Sequence, residues 1–431
     1  MLAVDLEDPA AAEVRLLLEL LATTGADEVA RAIEPDSDLR RWAASGAMHL
    51  SGPADGPPGA PRAPVASRLV GAAAVLRHLS GVVGKTIELD GLALLGERAA
   101  LRGLSRRGTT SAGGASRLLR AADGWVAVTL PRPEDLELVP AWLQGAGDSW
   151  EAVEEVAVQT AGEIFADRAQ ELGLAVAVVP TGAHPAPPPW RITPCDGQRP
   201  RRSLRVVDLS ALWAGPLCAS LLAAAGADVV TIESIDRLDG ARRGDPELFA
   251  LLHRDSEGQQ LDLRTRRGHE ALRDLIAGAD VVVTSARPRA LDQLGLSPLD
   301  DIAAHPGLTW VAITAYGLTG PRCNRVGYGD DTAASGGLVL DGNLGPLFCA
   351  DAAADPATGL YAAVAALGCA LAGGGLVDVS IHGVSAHLAR PPFRQAVADV
   401  VRTAEGWALA SNDGLVPVAA PRARPLFSEA P

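Results

Sequence analysis

The sequence predicts an α/β protein, an open doubly wound parallel sheet with a smaller α+β region beside it. Two stretches carry that expectation. From Leu204, the apolar strand LRVVDL, the loop SALWAGP, the helix LCASLLAAAG ending at Gly226 and the strand DVVTIE follow within about 30 residues, the length of one parallel βαβ unit. Downstream, HEALRDLIAGADVVVTSA supplies a further helix and strand, and LTWVAITAYG a strand ending in a glycine turn. The first turn lacks GxGxxG, so no dinucleotide cofactor is expected. Open parallel sheets take ligands at the carboxyl ends of their strands, which here means the loops 210–216, 233–243, 285–289 and 315–331.

The 431 residues have room for two or three domains. Residues 1–50 carry Val14, Leu17, Leu18 and Leu21 at helical spacing and predict one or two amphipathic helices for packing or subunit contact. Ser51–Pro64 reads as a Pro/Gly linker. Residues 65–182 form a small-domain-like region: a helix over LVGAAAVLRHLSG, a strand at KTIELDG, a helix over LALLGERAALRGL, a strand at Trp125–Leu130, two helical stretches and the strand LAVAVV. Its Gly-rich basic segment RRGTTSAGGASR has two readings. It is a phosphate cradle using backbone N–H groups with Arg106, Arg107 and Arg117, or a surface loop with solvated arginines. A second Pro-rich linker covers 183–203, the sheet domain 204–385, and a C-terminal segment 386–431, irregular from Pro417. LVGAAAVL at Leu69 lines up with LYAAVAAL at Leu360, TIELDG with LVDVSIHG, and DGWVAV with EGWALA, the pattern of a degenerate internal repeat in which Pro64 stands where the second copy has Asp355.

Composition narrows the function. A net charge of −14 disfavours nucleic acid as a partner, so an anionic ligand needs a local arginine cluster. No apolar run approaches the roughly 18 residues of a membrane span. The N-terminus carries acids and lacks a basic n-region, and the expectation is a soluble, cytoplasmic enzyme. Five cysteines without CxxC spacing imply neither a disulfide framework nor a metal site.

Asp351–Leu371, DAAADPATGLYAAVAALGCAL, holds the candidate chemistry. An acidic loop leads into an Ala-rich apolar helix, so Asp355 stands at a helix entrance. It is either a cap on the helix's free N–H groups or a carboxylate nucleophile at the edge of a cleft.

Several segments together, VVDLSALWAGPLCASLLAAAGADVVTIE, GARRGDPELF, QQLDLRTRRGHEALRDLIAGADVVVTSARPRALDQLGL, ITAYGLTGPRCNRVGYGDDTAASGGLV and DPATGLYAAVAAL, resemble the class III coenzyme A transferases over 204–385. That family includes formyl- and carnitine-type CoA-transferases and the α-methylacyl-CoA racemases. The resemblance implies a Rossmann-like domain with a smaller α+β domain, and CoA thioesters as substrates with no tightly bound cofactor. It makes Asp355 of the D-x-x-T-G motif the nucleophile toward an acyl-CoA, with a carboxylic acid as acceptor of CoA. Ala214, Gly215 and Pro216 match the loop lying against CoA, Arg242 or Arg243 the arginine after the second strand, and Arg287 the R-P motif at the nucleotide. Tyr328 stands in Gly327-Tyr328-Gly329-Asp330, where the racemases carry the histidine of G-H-D; its absence disfavours racemase activity, so an acyl-CoA racemase or isomerase of the same fold is the second reading and a non-catalytic CoA binder the third. The latter is motivated by HRDSEGQQLDL, which lacks the family's N-R-G-K-type lysine. Ser335-Gly336-Gly337 or Gly342–Gly345 are candidate oxyanion donors, and Trp213, Trp310 and Tyr316 candidate acyl-pocket residues. Family members form interlocked homodimers, and the same is expected here. About 200 residues precede the VVDLS strand, which in the family stands near the N-terminus.

Overall fold

The computed structural model describes residues 7–182, 187–198, 203–390, 399–411 and 414–423. Its strands, in chain order, are β1 (Ser116–Ala121), β2 (Gly124–Thr129), β3 (Ala175–Val179), β4 (Arg191–Pro194), β5 (Arg205–Leu209), β6 (Asp228–Ser234), β7 (Glu257–Leu261), β8 (Val281–Thr284) and β9 (Thr309–Thr314). The hairpin β10 (Val339–Gly342) and β11 (Gly345–Phe348), then β12 (Gly375–Ser380), and the meander β13 (Val400–Thr403), β14 (Gly406–Ser411) and β15 (Gly414–Pro417) complete them. The large sheet runs β4-β12-β9-β8-β5-β6-β7. All its neighbours pair in parallel except β4, which runs antiparallel to β12 at the edge.

The strand sequences explain the layering. Val281–Thr284 and Thr309–Thr314 are buried throughout, as the continuous apolar runs of a sheet covered on both faces require. Val281, Val283, Val311 and Ile313 face one core with the helices Pro9–Leu20, Val65–Val83, Ala214–Ala224 and Ala354–Leu371. Val282, Trp310 and Ala312 face the other, with Leu272, Ile276, Leu291 and Ile302 from the opposite helices. Strands β1–β3 form a separate antiparallel sheet whose core includes Trp142, Val153 and Phe165. The mixed α/β architecture with a large, mostly parallel sheet is therefore present.

Several boundaries differ from expectation. Residues 9–83 do not stand apart from the sheet domain: Val14, Leu17, Leu69 and Leu76 share one core with Leu217 and Leu360. An Ala-rich helix has too little surface of its own to bury and accepts neighbours on every side. Ser51–Pro64 is a packed loop rather than a spacer, tied down by Arg106 to the carbonyls of Pro53 and Gly56 and by Trp42 Nε1 to Gly59 O. The 183–203 linker contains β4, an edge position that tolerates flanking prolines; residues 183–186 and 199–202 lie outside the described residues, as do 391–398, 412–413 and 424–431 of the C-terminal segment. The expected strand at KTIELDG is absent: Ile87 is buried and its N–H binds Ser80 Oγ. Of the segments matched between the two halves, both helices and the β1–β2 and β13–β14 hairpins form, but not that strand. Ala354–Leu371 is long and apolar enough to cross a membrane, contrary to the reading of the composition, yet 89% of it is buried inside the fold.

Candidate active site

The chain bends sharply into the Ala354–Leu371 helix. Ala350 (φ 57°) and Ala352 (φ 43°) both occupy the left-handed region, where a Cβ costs about 1–2 kcal/mol per residue. Hydrogen bonds hold the strained loop in place: Ala350 N–H donates to Ser51 Oγ at 2.8 Å and Ala352 N–H to Asp330 Oδ1 at 3.0 Å. Backbone strain of this kind concentrates at functional sites. The helix N-cap is Ala353, with no side-chain cap bond, so Asp355 is not the cap. It sits in the first turn, and of the helix's residues only Asp355 and Leu371 are not buried.

Asp355 faces a crowded acidic floor. A Cβ added to Gly329 would stand 2.5 Å from Asp355 Oδ2, so the carboxylate presses directly on the Gly329 backbone. Asp330, Asp331 and Asp351 are buried nearby. The charge on this side is balanced by Arg98, whose Nε and Nη2 meet Asp351 Oδ2 and Oδ1 at 2.9 and 2.5 Å. Arg98 also lies over the Trp213 ring, 5.0 Å from its centroid. Burial is the main force on Asp355 and raises its pKa to about 7, with Arg98 opposing the shift and Asp330 adding to it. Asp331 is pushed up to about 8, again chiefly by burial. Asp330 accepts from Ser116 Oγ at 2.8 Å, and Gly113 lies beside Arg98 and Asp351. The Gly-rich segment of the first half therefore abuts the acids of the second.

The residues matched to the CoA site occupy the end of the sheet where the chain turns from β5 to β6 on one side and β8 on the other. Ala214, Gly215 and Pro216 open the Ala214–Ala224 helix and are buried. The loop before them is joined to the next by Ala211 N–H donating to Ser285 Oγ at 2.9 Å. Arg287 donates to Asn324 O at 3.2 Å; burial, then the charges of Arg289 and Arg237, lower its pKa, with Arg132 from the first half contributing and Tyr328 opposing. An anion would relieve that repulsion. Arg242 is committed to Glu233, with Nη2 to Oε2 at 2.5 Å, and lies over Phe249; Arg243 is exposed. The departing HRDSEGQQLDL segment supplies edge strand β7.

Other candidates lie elsewhere. Gly336 and Gly337 N–H groups are used by Thr332 O and Ala334 O, and Gly342–Gly345 turn the β10–β11 hairpin. Trp310 is a core residue, its Nε1 donating to Thr284 Oγ1 at 3.2 Å. His387 is buried against Glu13 at 2.6 Å, where Tyr361 Oη also donates at 3.0 Å. Arg98 and Arg132 were not singled out from the sequence, and Asp330 was named only within Gly327-Tyr328-Gly329-Asp330. Arg98 has no local signature, because Asp351 lies 253 positions away.

Residues 202–409 match the profile of CoA-transferase family III. Among curated relatives, the succinyl-CoA–D-citramalate CoA-transferase of Chloroflexus aurantiacus is 34% identical over 151 residues, covering 33% of this chain and 38% of the relative. The succinyl-CoA:glutarate CoA-transferase of Mus musculus is 31% identical over 182 residues, covering 39% and 41%. The succinate–glutarate CoA-transferase of Agrobacterium fabrum is 30% identical over 259 residues, covering 50% and 64%. The chain thus spans about two fifths of the length of the first two. A crystal structure of a CAIB/BAIF family protein from Brucella suis superposes with a TM-score of 0.44 at 28% identity, covering 50% of this chain and 66% of that one.

Proposed function

We propose that the protein is an acyl-CoA:carboxylate CoA-transferase with Asp355 as its nucleophile and a Rossmann-like CoA-binding domain. The observation that carries this reading is the placement of Asp355, a partly buried carboxylate at the mouth of an otherwise buried helix, backed by a strained loop. The Asp355 carboxylate attacks the thioester carbon; the C–S bond breaks and the CoA thiolate leaves, giving an acyl-aspartyl anhydride. The thiolate then attacks the aspartyl carbonyl and expels the donor acid as its carboxylate, leaving an aspartyl-CoA thioester. The acceptor carboxylate attacks that thioester, and the returning thiolate cleaves the second anhydride to release the new acyl-CoA and restore Asp355. Charge is conserved at each exchange, so no external acid or base is needed.

The arginines fit the substrate's phosphates. Arg289, Arg237 and Arg132 each act on Arg287 as like charges, with Tyr328 opposing, an arrangement that a diphosphate or 3′-phosphate would relieve. Arg243 is exposed, whereas Arg242 would first have to leave Glu233. The names of the relatives support dicarboxylic or hydroxy acids as starting members of a substrate panel. The reading includes a cytoplasmic homodimer, which sedimentation and localisation of a tagged chain would test. The direct test is a CoA-transfer assay of the full chain over acyl-CoAs and acids, with Asp355→Ala as control. Transfer by the native chain and none by the variant is expected; equal rates in both would refute it.

A further inference from the structure

A separate cavity of about 940 Å³ lies between the two halves of the chain, and none of Asp355, Asp330, Asp351, Arg98, Arg287 or Tyr328 lines it. One wall comes from β3 and the residues after it, the other from the Gly329–Ser335 and Ile381–Leu388 helices and the loop between β9 and the first of them. Its polar end is assembled from four side chains. Ser335, 8% exposed, has its hydroxyl 3.0 Å from His382 Nδ1. The His382 ring lies 5.5 Å from that of Tyr316, and the Arg322 guanidinium lies over Tyr316 at 5.5 Å from the ring centroid.

Charge bookkeeping selects the ligand. Three arginines (Arg62, Arg322, Arg325) and three acids (Asp123, Glu163, Asp341) line the cavity. Arg62 is paired with Asp341 and Arg325 with Asp167, which leaves Arg322 as the lining arginine without a carboxylate partner among the described residues. His382 is held neutral near pH 7, its pKa lowered to about 4 by burial and then by Arg322. Burial, followed by the charge of Asp331, raises Tyr316 and keeps its phenol protonated. At the polar end Arg322 with three neutral hydrogen-bonding groups suits a single negative charge, whereas Asp123 and Glu163 elsewhere in the lining repel further negative charge such as that of a polyphosphate. The remaining walls, Val178, Pro180, Leu338, Val339, Ala386 and Ala389, are apolar. At this wall Gly336 packs closely on the Ile381–Leu388 helix, where a Cβ would come within 2.5 Å of Ser385 Cβ, and Gly337 holds φ +86°.

We propose that this cavity binds an organic monocarboxylate with an apolar body, the carboxylate on Arg322 beside Tyr316, Ser335 and His382 and the body along the Val178–Ala386 wall. The site stands on its own geometry and does not depend on Asp355 as nucleophile. Calorimetric titration of the full chain at pH 7 with octanoate, and with octanol as its neutral counterpart, tests it. Octanoate should bind with one-to-one stoichiometry and octanol about tenfold or more weaker, because the charge-assisted hydrogen bond is lost. Arg322→Gln, at an exposed position, should weaken octanoate by about tenfold or more while Asp355→Asn, outside the cavity, leaves it unchanged. Circular dichroism checks that the variants fold. No octanoate binding by the native chain, equal binding of octanol, or loss in Asp355→Asn with none in Arg322→Gln would overturn the proposal.

Discussion

At Asp355 two influences oppose each other. The first turn of a helix and the Arg98 guanidinium favour the carboxylate, while burial and Asp330 favour the acid, and burial prevails, placing the pKa at about 7. Only the ionised form can attack a thioester, so transfer by the free enzyme, read as kcat/KM, should rise with pH through about 7 and level off above it. Asp330→Asn removes a like charge and keeps the Oδ1 acceptor for Ala352 N–H, so its profile should move to lower pH; an unmoved or alkaline-shifted profile would show that Asp330 does not act on Asp355. Asp355 was legible because its setting is local, an acid followed within five residues by Thr358-Gly359 and an apolar helix. The strain at Ala350 and Ala352 was not, since alanine gives no signal of a left-handed backbone.

Among the elements, the Ala354–Leu371 helix depends on small residues for its close contacts. A Cβ at Gly359 would lie 2.8 Å from Ala214 O and from Leu217 Cβ, and one at Gly368 2.6 Å from Leu21. Gly359→Ala would gain about 1 kcal/mol in helix propensity but incur about 1–3 kcal/mol of overpacking, because a backbone oxygen cannot move aside as a side chain can. A net loss of stability is expected, read as a lower midpoint in urea; an unchanged or higher midpoint would mean that the two helices separate without cost. The βαβ units were readable from their apolar runs, and β5, β6, β8 and β9 fall on the segments singled out. KTIELDG alternates like a strand but has no sheet edge to join, a fact that belongs to the tertiary structure and not to the heptapeptide.

Over the whole molecule, the first half completes the acidic site of the second. Arg98 from residues 97–102 reaches Asp351, and Ser116 from β1 reaches Asp330. The separation in sequence hid this arrangement, although the Gly-rich basic segment next to it was conspicuous. Arg98→Met would leave Asp351, which is fully buried, without its cation, and should cost about 3–5 kcal/mol of stability. Adding Asp351→Asn to that variant should recover part of the loss; if the double variant is as unstable as the sum of the singles, the two residues are not coupled. The most direct test of the transfer mechanism is mass spectrometry of the chain after incubation with an acyl-CoA and hydroxylamine. Interception of the aspartyl-CoA thioester predicts a hydroxamate on the peptide containing Asp355, whereas turnover of the acyl-CoA with that peptide unmodified would contradict it.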